Sequence, residues 1–395
     1  MVSMANAAGW VTAQVGETPL FSGPPGSVKT EVAKAWTRFF KRKPFCLIGS
    51  IIDAPDVGGY PGIVEMDGKR FCEMMPLDWA MKTHDQPSVL IIDELTTSPP
   101  PVQAAMLRII CERKIGNFDL PSPKDLWIIS MCNPPGCAAN GFELEPPMAN
   151  RLGHYTWKTP WDTVMAGWKN GLNFPDLDYP VVPENWMDYQ PAIGNLCAAF
   201  RQRKPEMFEP ATDSAGNLKL SDADQGGAYG TARSWTALQK VWAGLEAVGL
   251  GDEEKFEAAS AYVGVDAAAE FTTYCKELDL PDPEEWLTRF HNDPTADFTP
   301  LERPDLTIAF LGSLEHAVRE DNTKERWEAA MGLLNSLVTK PGQKVFVVES
   351  GRALHGTDRD GEKLVKSNYN LPATLGQELQ SMLRARLNIS DRGSE

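Results

Sequence analysis

Histidine is scarce, with five in 395 residues, and none stands beside the two closest cysteines, Cys132 and Cys137. No CxxC pair occurs among the seven cysteines (46, 72, 111, 132, 137, 197 and 275), so neither a zinc site nor a disulfide framework is expected. Their odd number points to a reducing compartment. No apolar run approaches the roughly 18 residues of a membrane-crossing helix, and the stretch MVSMANAAGWVTAQ lacks the basic start and apolar segment of a secretory leader. A cytoplasmic protein with no membrane partner is the expectation. Positive charge is also in short supply, with 38 Lys and Arg against 54 Asp and Glu and a net charge of −16. That balance counts against sequence-independent nucleic-acid binding, which needs a basic surplus on one face. The densest basic run, KAWTRFFKRK (34–43), has spacing that suits the solvated side of a helix.

What is present is a globular composition, 42% hydrophobic and 23% charged, in a chain long enough for about two or three domains. Over the first 160 residues, short apolar runs alternate with helical patterns, the signature of a mainly parallel α/β sheet. PLFS (19–22), FCLIGSII (45–52), VLIID (89–93), LWIISMC (126–132) and HYTWK (154–158) read as five strands, with helices at TEVAKAWTRFF and PPVQAAMLRIICER. Residues 161–272 read as a helical domain interrupted by a Gly- and Asp-rich stretch at 211–230. Residues 273–395 read as a mostly helical section with a short strand at KVFVVES.

GPPGSVKT lies between the first strand and the first helix, the context in which a Gly-rich loop surrounds phosphates with backbone N–H groups and a helix N-terminus. Gly23, Pro24, Pro25, Gly26, Ser27 and Val28 form the loop. Lys29 is placed to reach the β- and γ-phosphates, and the Thr30 hydroxyl to bind magnesium. Val28 stands where a glycine is usual. A β-branched residue resists the angles such a site demands, at a cost of about 1–3 kcal/mol. That lowers nucleotide affinity by about tenfold to a hundredfold without removing the other anchors.

VLIIDE ends a buried strand on Asp93 and Glu94, at the sheet edge where open α/β folds bind ligands. Asp93 suits a magnesium ion held through water, and Glu94 suits a base for the attacking water. The bland alternative is a pair of acids that caps a strand. LWIISMC ends at Asn133, whose amide could orient that water or simply begin a turn before proline. PPMANRLGHYTW puts Arg151 after a short helix and before the last strand, where it could enter a neighbour's site and stabilise charge on the γ-phosphate.

These motifs resemble AAA+ ATPases, and within them the MoxR-like branch of the helix-2-insert group, over roughly residues 15–270. GPPGSVKT resembles Walker A, VLIIDE resembles Walker B, Asn133 occupies the sensor 1 position and Arg151 the arginine-finger position. In TARSWTALQK, Arg233 resembles sensor 2, facing the γ-phosphate from the lid. The glycine-rich stretch Val57–Tyr60, the hairpin tip Met66–Lys69 and KIGNFDLPSPKDL (114–126) resemble the group's insert and second hairpin, or are surface decoration.

The resemblance implies a P-loop AAA+ core with a five-stranded parallel sheet (1–160), an α-helical lid (161–272) and a helical C-terminal section. It implies ATP and ADP with Mg2+ as cofactors and ATP hydrolysis between subunits of a ring, expected to be a hexamer. It also implies a protein client, with a von Willebrand factor A domain protein as a candidate partner. Two other readings stay open: a nucleotide-binding scaffold with little turnover because of Val28, and a nucleic-acid-dependent ATPase.

Overall fold

The structure, a computed structural model, describes residues 5–134, 137, 142, 144–170, 179–209, 227–354 and 375–377. The Gly- and Asp-rich stretch at 211–230 lies outside these residues as far as 226. The chain divides into two compact units, Met1–Trp186 with Glu206–Thr272, and Met187–Pro205 with Thr273–Glu395.

The first unit opens with helix α1 (Ala7–Gln14), which precedes β1 (Thr18–Ser22) and α2 (Lys29–Phe39). Then come β2 (Lys43–Ile48), α3 (Ala54–Gly58), the hairpin β3 (Tyr60–Met66) and β4 (Lys69–Met75), and α4 (Asp78–Lys82). β5 (Ser88–Asp93), α5 (Pro100–Glu112), a second hairpin of β6 (Lys114–Ile115) and β7 (Phe118–Asp119), and β8 (Leu126–Cys132) follow. After α6 (Pro146–Ala149), β9 (Leu152–Thr156) and α7 (Trp161–Lys169), the chain passes through α8 (Gln190–Arg203) of the second unit. It returns for α9 (Ala232–Val248), α10 (Asp252–Val263) and most of α11 (Val265–Lys276).

Five strands form one sheet in the order β2-β5-β8-β1-β9, every pair parallel. This is the five-stranded parallel α/β core expected from the sequence. The physical basis is plain in β5 and β8. Their unbroken apolar runs are buried along their length because both faces of a parallel sheet are covered. β2, at one edge, alternates between exposed and half-buried residues up to the buried Leu47. Tryptophans fill the space around β1: Trp10 of α1 stacks on Trp36 of α2 with ring centroids 4.9 Å apart and lies 4.7 Å from Phe21.

The Asp67-Gly68 turn joins β3 to β4 with φ of 53° and 73°, and the register runs from Met66 opposite Lys69 to Tyr60 opposite Met75. Two consecutive left-handed residues match the right-handed twist of the flanking strands. The ribbon leaves Ile63 77% exposed.

The second unit gathers α8, α12 (Pro283–Asn292), α13 (Pro304–Glu320), α14 (Lys324–Val338) and α15 (Lys344–Ala353) around Phe290, Phe298, Phe310, Trp327 and Leu334. α15 corrects the strand expected at KVFVVES. Val347, Val348, Ser350 and Gly351 share one buried face at helical spacing, so helix packing overrides the β preference of valine. Glu315 of α13 is buried and hydrogen-bonds to Ser350 of α15 and Asn195 of α8. Burial raises its carboxyl to about 7, against the pull of those partners and of Arg319.

Candidate functional site

Three strand ends meet at one edge of the sheet. The loop after β1, the end of β5 and the end of β8 bring together Lys29, Asp93 and Asn133, residues up to 104 positions apart. Lys29 is buried, and its ammonium donates to the Gly23 carbonyl at 2.8 Å, the Pro24 carbonyl at 3.1 Å and Asn133 Oδ1 at 3.0 Å. Burial lowers its pKa, and Asp93 and Cys132 oppose that fall. A cation held this way is pre-aimed into the loop.

Next to it, the Thr30 hydroxyl donates to Asp93 Oδ2 at 2.6 Å. A hydroxyl and a carboxylate in contact are hard oxygen donors that suit magnesium, which takes its remaining ligands from phosphate and water. Among the described residues no three His, Cys, Asp or Glu side chains form a metal cluster.

The loop supplies the cradle. Ser27 caps it by donating to the Pro24 carbonyl at 2.6 Å, Pro25 and Gly26 form its exposed tip, and Gly26 has φ of 75°. Gly23 is required for space, since a Cβ there would lie 2.6 Å from Trp157 Cβ. Val28 precedes α2 at φ 57° and ψ 21°. The loop keeps the glycine-like geometry, and the valine bears the strain of about 1–3 kcal/mol instead of reshaping the backbone. Val28 is the only β-branched residue among the positive-φ non-glycines described. Glu94, directly after β5, is another of that group at φ 57°, and its backbone N–H donates to Asp93 Oδ1 at 2.9 Å. Two strained residues therefore flank the Lys29–Asp93 pair, and such strain concentrates at functional sites.

Arg151 and Arg233 are elsewhere. Both line a cleft of about 280 Å3 with Glu17, Cys111, Arg113 and Lys240, beside the N-terminal ends of β1 and β9. The strands are parallel, so this edge is opposite to that of Lys29, and the five residues of β1 alone separate the two by about 16 Å. Thr231 brings Arg233 here: it caps α9 by accepting from the Ser234 N–H, and its own hydroxyl donates to Asn150 Oδ1 at 2.9 Å, one residue from Arg151. Arg151 donates to the Pro147 carbonyl at 2.6 Å. Cys111 is surface-exposed, but partial desolvation in the cleft pushes its thiol up while both arginines pull it back. Lys240 pairs with Glu17 at 2.5 Å, and burial lowers Arg113 to about 10 while it donates to the Pro121 carbonyl. Among the described residues neither Arg151 nor Arg233 forms an ion pair.

The sequence reading missed Trp157, whose indole N–H donates to the Ser27 carbonyl at 2.9 Å. Only its place in the strand-like run HYTWK, directly after what proves to be the end of β9, hinted at it. It also missed that Arg42 of the basic run is structural: the guanidinium lies 3.6 Å from the Trp127 ring centroid and donates to the Asp125 carbonyl at 2.8 Å.

No helix among the described residues is long and apolar enough to cross a membrane. No family model matches the chain, and no curated protein matches it. Among solved structures, a candidate ATPase from Cytophaga hutchinsonii is similar to it at 15% identity and a TM-score of 0.41, covering 69% of this chain and 88% of that one. A likeness at that level carries no weight in the functional reading, which rests on the site alone.

Proposed function

We propose that this chain is an AAA+ ATPase of MoxR type that assembles into a ring, a hexamer in the simplest case, and remodels a protein client. The observation that carries the reading is the cluster of Lys29, Thr30, Asp93 and Asn133, drawn from three strand ends around a Gly-rich loop at a helix N-terminus. Lys29 orients the β- and γ-phosphates, and Glu94 takes the proton of the attacking water while Asn133 holds that water in line. Thr30 and Asp93 would hold magnesium, which when bound neutralises charge on the phosphate oxygens.

The common cleft of Arg151 and Arg233 supports giving both arginines to the γ-phosphate of an adjacent subunit, since neither lies at its own chain's Lys29 edge. Guanidinium groups delivered across a seam stabilise the charge that develops in transfer and make turnover depend on assembly. The client and a von Willebrand factor A domain partner belong to the same proposal.

A second reading, a nucleotide-binding scaffold with little turnover, is favoured by one observation, the strained Val28. Phosphate release by the wild type and Glu94→Gln decides between them, with electron micrographs in the presence of ATP analogue to report assembly. Turnover by the wild type at least tenfold above Glu94→Gln, from ring-shaped particles, is the expected outcome. Equal rates would eliminate the motor.

A further inference from the structure

Of the groups around the loop, Trp157 has no part in the chemistry just described, yet its indole N–H bonds the peptide that leads into Val28. It is 5% exposed, and its own position is set on three sides. Its backbone N–H donates to the Ser22 carbonyl at 2.7 Å, its ring meets Phe21 edge-on at 5.5 Å, and the missing Cβ of Gly23 leaves room for it. From this fixed position the indole N–H reaches the carbonyl of Ser27, the residue before Val28.

We propose that Trp157 is a positioning residue of the phosphate-binding loop: its indole holds the Ser27–Val28 peptide so that the Val28 N–H faces the phosphates. This inference rests on the nucleotide-site reading above. A trans peptide is planar, with its C=O and N–H pointing in opposite directions. Holding the Ser27 carbonyl outward on the indole therefore aims the Val28 N–H inward, among the amides that surround an anion. A glycine at position 28 would visit this backbone region freely. A β-branched valine would leave it, which turns the loop peptide over and takes an N–H out of the cradle. The indole bond is thus the counterpart of the missing glycine, supplied from the end of β9.

The coupling between positions 157 and 28 is the test. Equilibrium binding of a fluorescent ATP analogue with magnesium would be measured on the full chain for wild type, Trp157→Phe, Val28→Gly and the double variant. Trp157→Phe removes the N–H and is expected to weaken binding about 3- to 10-fold. In the Val28→Gly background the same change should cost less than about 2-fold, because glycine holds the conformation unaided. An unchanged affinity in Trp157→Phe, or an equal loss in both backgrounds as expected of a merely structural tryptophan, overturns the proposal. If Trp157→Phe does not fold, benzothienylalanine at position 157 replaces the N–H with sulfur at constant shape, and the same two outcomes apply. Lys29→Ala, measured alongside, separates the two levels. Loss of binding there with no effect at 157 sinks only the positioning role, whereas unchanged binding in Lys29→Ala sinks the nucleotide site itself.

Discussion

The two edges of the central sheet are built on opposite principles. At the C-terminal edge, Lys29, Thr30, Asp93 and Asn133 bond to one another and to loop carbonyls, so the Lys29 ammonium and the Asp93 carboxylate are held before any ligand arrives. At the N-terminal edge, Arg151 and Arg233 share an open cleft in which the one acid, Glu17, is paired with Lys240. A pre-organised cluster binds, because little reorganisation remains to oppose it. Guanidinium groups that share a cleft without a carboxylate of their own favour an anion brought by another molecule.

That contrast breaks at once if binding and turnover do not separate along it. The largest effect is expected for Arg151→Ala, which should lower turnover about 10^3-fold while the affinity for ATP analogue stays within about 2-fold, measured by phosphate release and equilibrium binding. Equal losses in both would place Arg151 in its own chain's site. Next, Lys29→Ala should weaken nucleotide binding about 100-fold, as expected for the loss of a charge-assisted contact. Binding retained there would remove the C-terminal edge from the comparison.

Glu315, in the second unit, is a control outside both edges. Its folded pKa of about 7 is raised from 4.5, so the fold favours the protonated carboxyl. The stabilisation is complete below about pH 4.5 and fades as pH rises toward about 7, a loss on the order of 2–3 kcal/mol. Denaturant unfolding across this range should therefore show a slope in the wild type that Glu315→Gln lacks, with nucleotide binding unaltered. Identical slopes would mean the carboxyl is ionised in the fold. The smallest effect sharpens the loop itself: Val28→Gly should raise nucleotide affinity about tenfold by relieving the left-handed strain, read by the same binding measurement.

Legibility in the sequence followed the range of the forces involved. VLIID and LWIISMC were readable as strands because a parallel sheet covered on both faces demands unbroken apolar runs. The loop was readable because its glycines, lysine and threonine are contiguous. KVFVVES misled, since its valines suit a strand locally and only packing against the neighbouring helices makes the stretch α15. Helix α1 gave no periodic signal, because seven consecutive residues of it, Ala7 to Ala13, are buried on all sides. Arg233 was expected over its own nucleotide. Its place beside Arg151 comes from Thr231 bonding Asn150 across 81 positions, which no local pattern encodes.

The sequence by itself determined the parallel α/β core and the residues that would crowd its C-terminal edge, because hydrophobic period and strand-end chemistry are local properties of the chain. Only the tertiary structure decided that Val28 keeps a glycine's backbone, that Trp157 bonds the peptide before it, and that the two arginines share the far edge. Those facts depend on contacts between residues far apart in the chain, whose free energies are set by packing and by which backbone groups find partners.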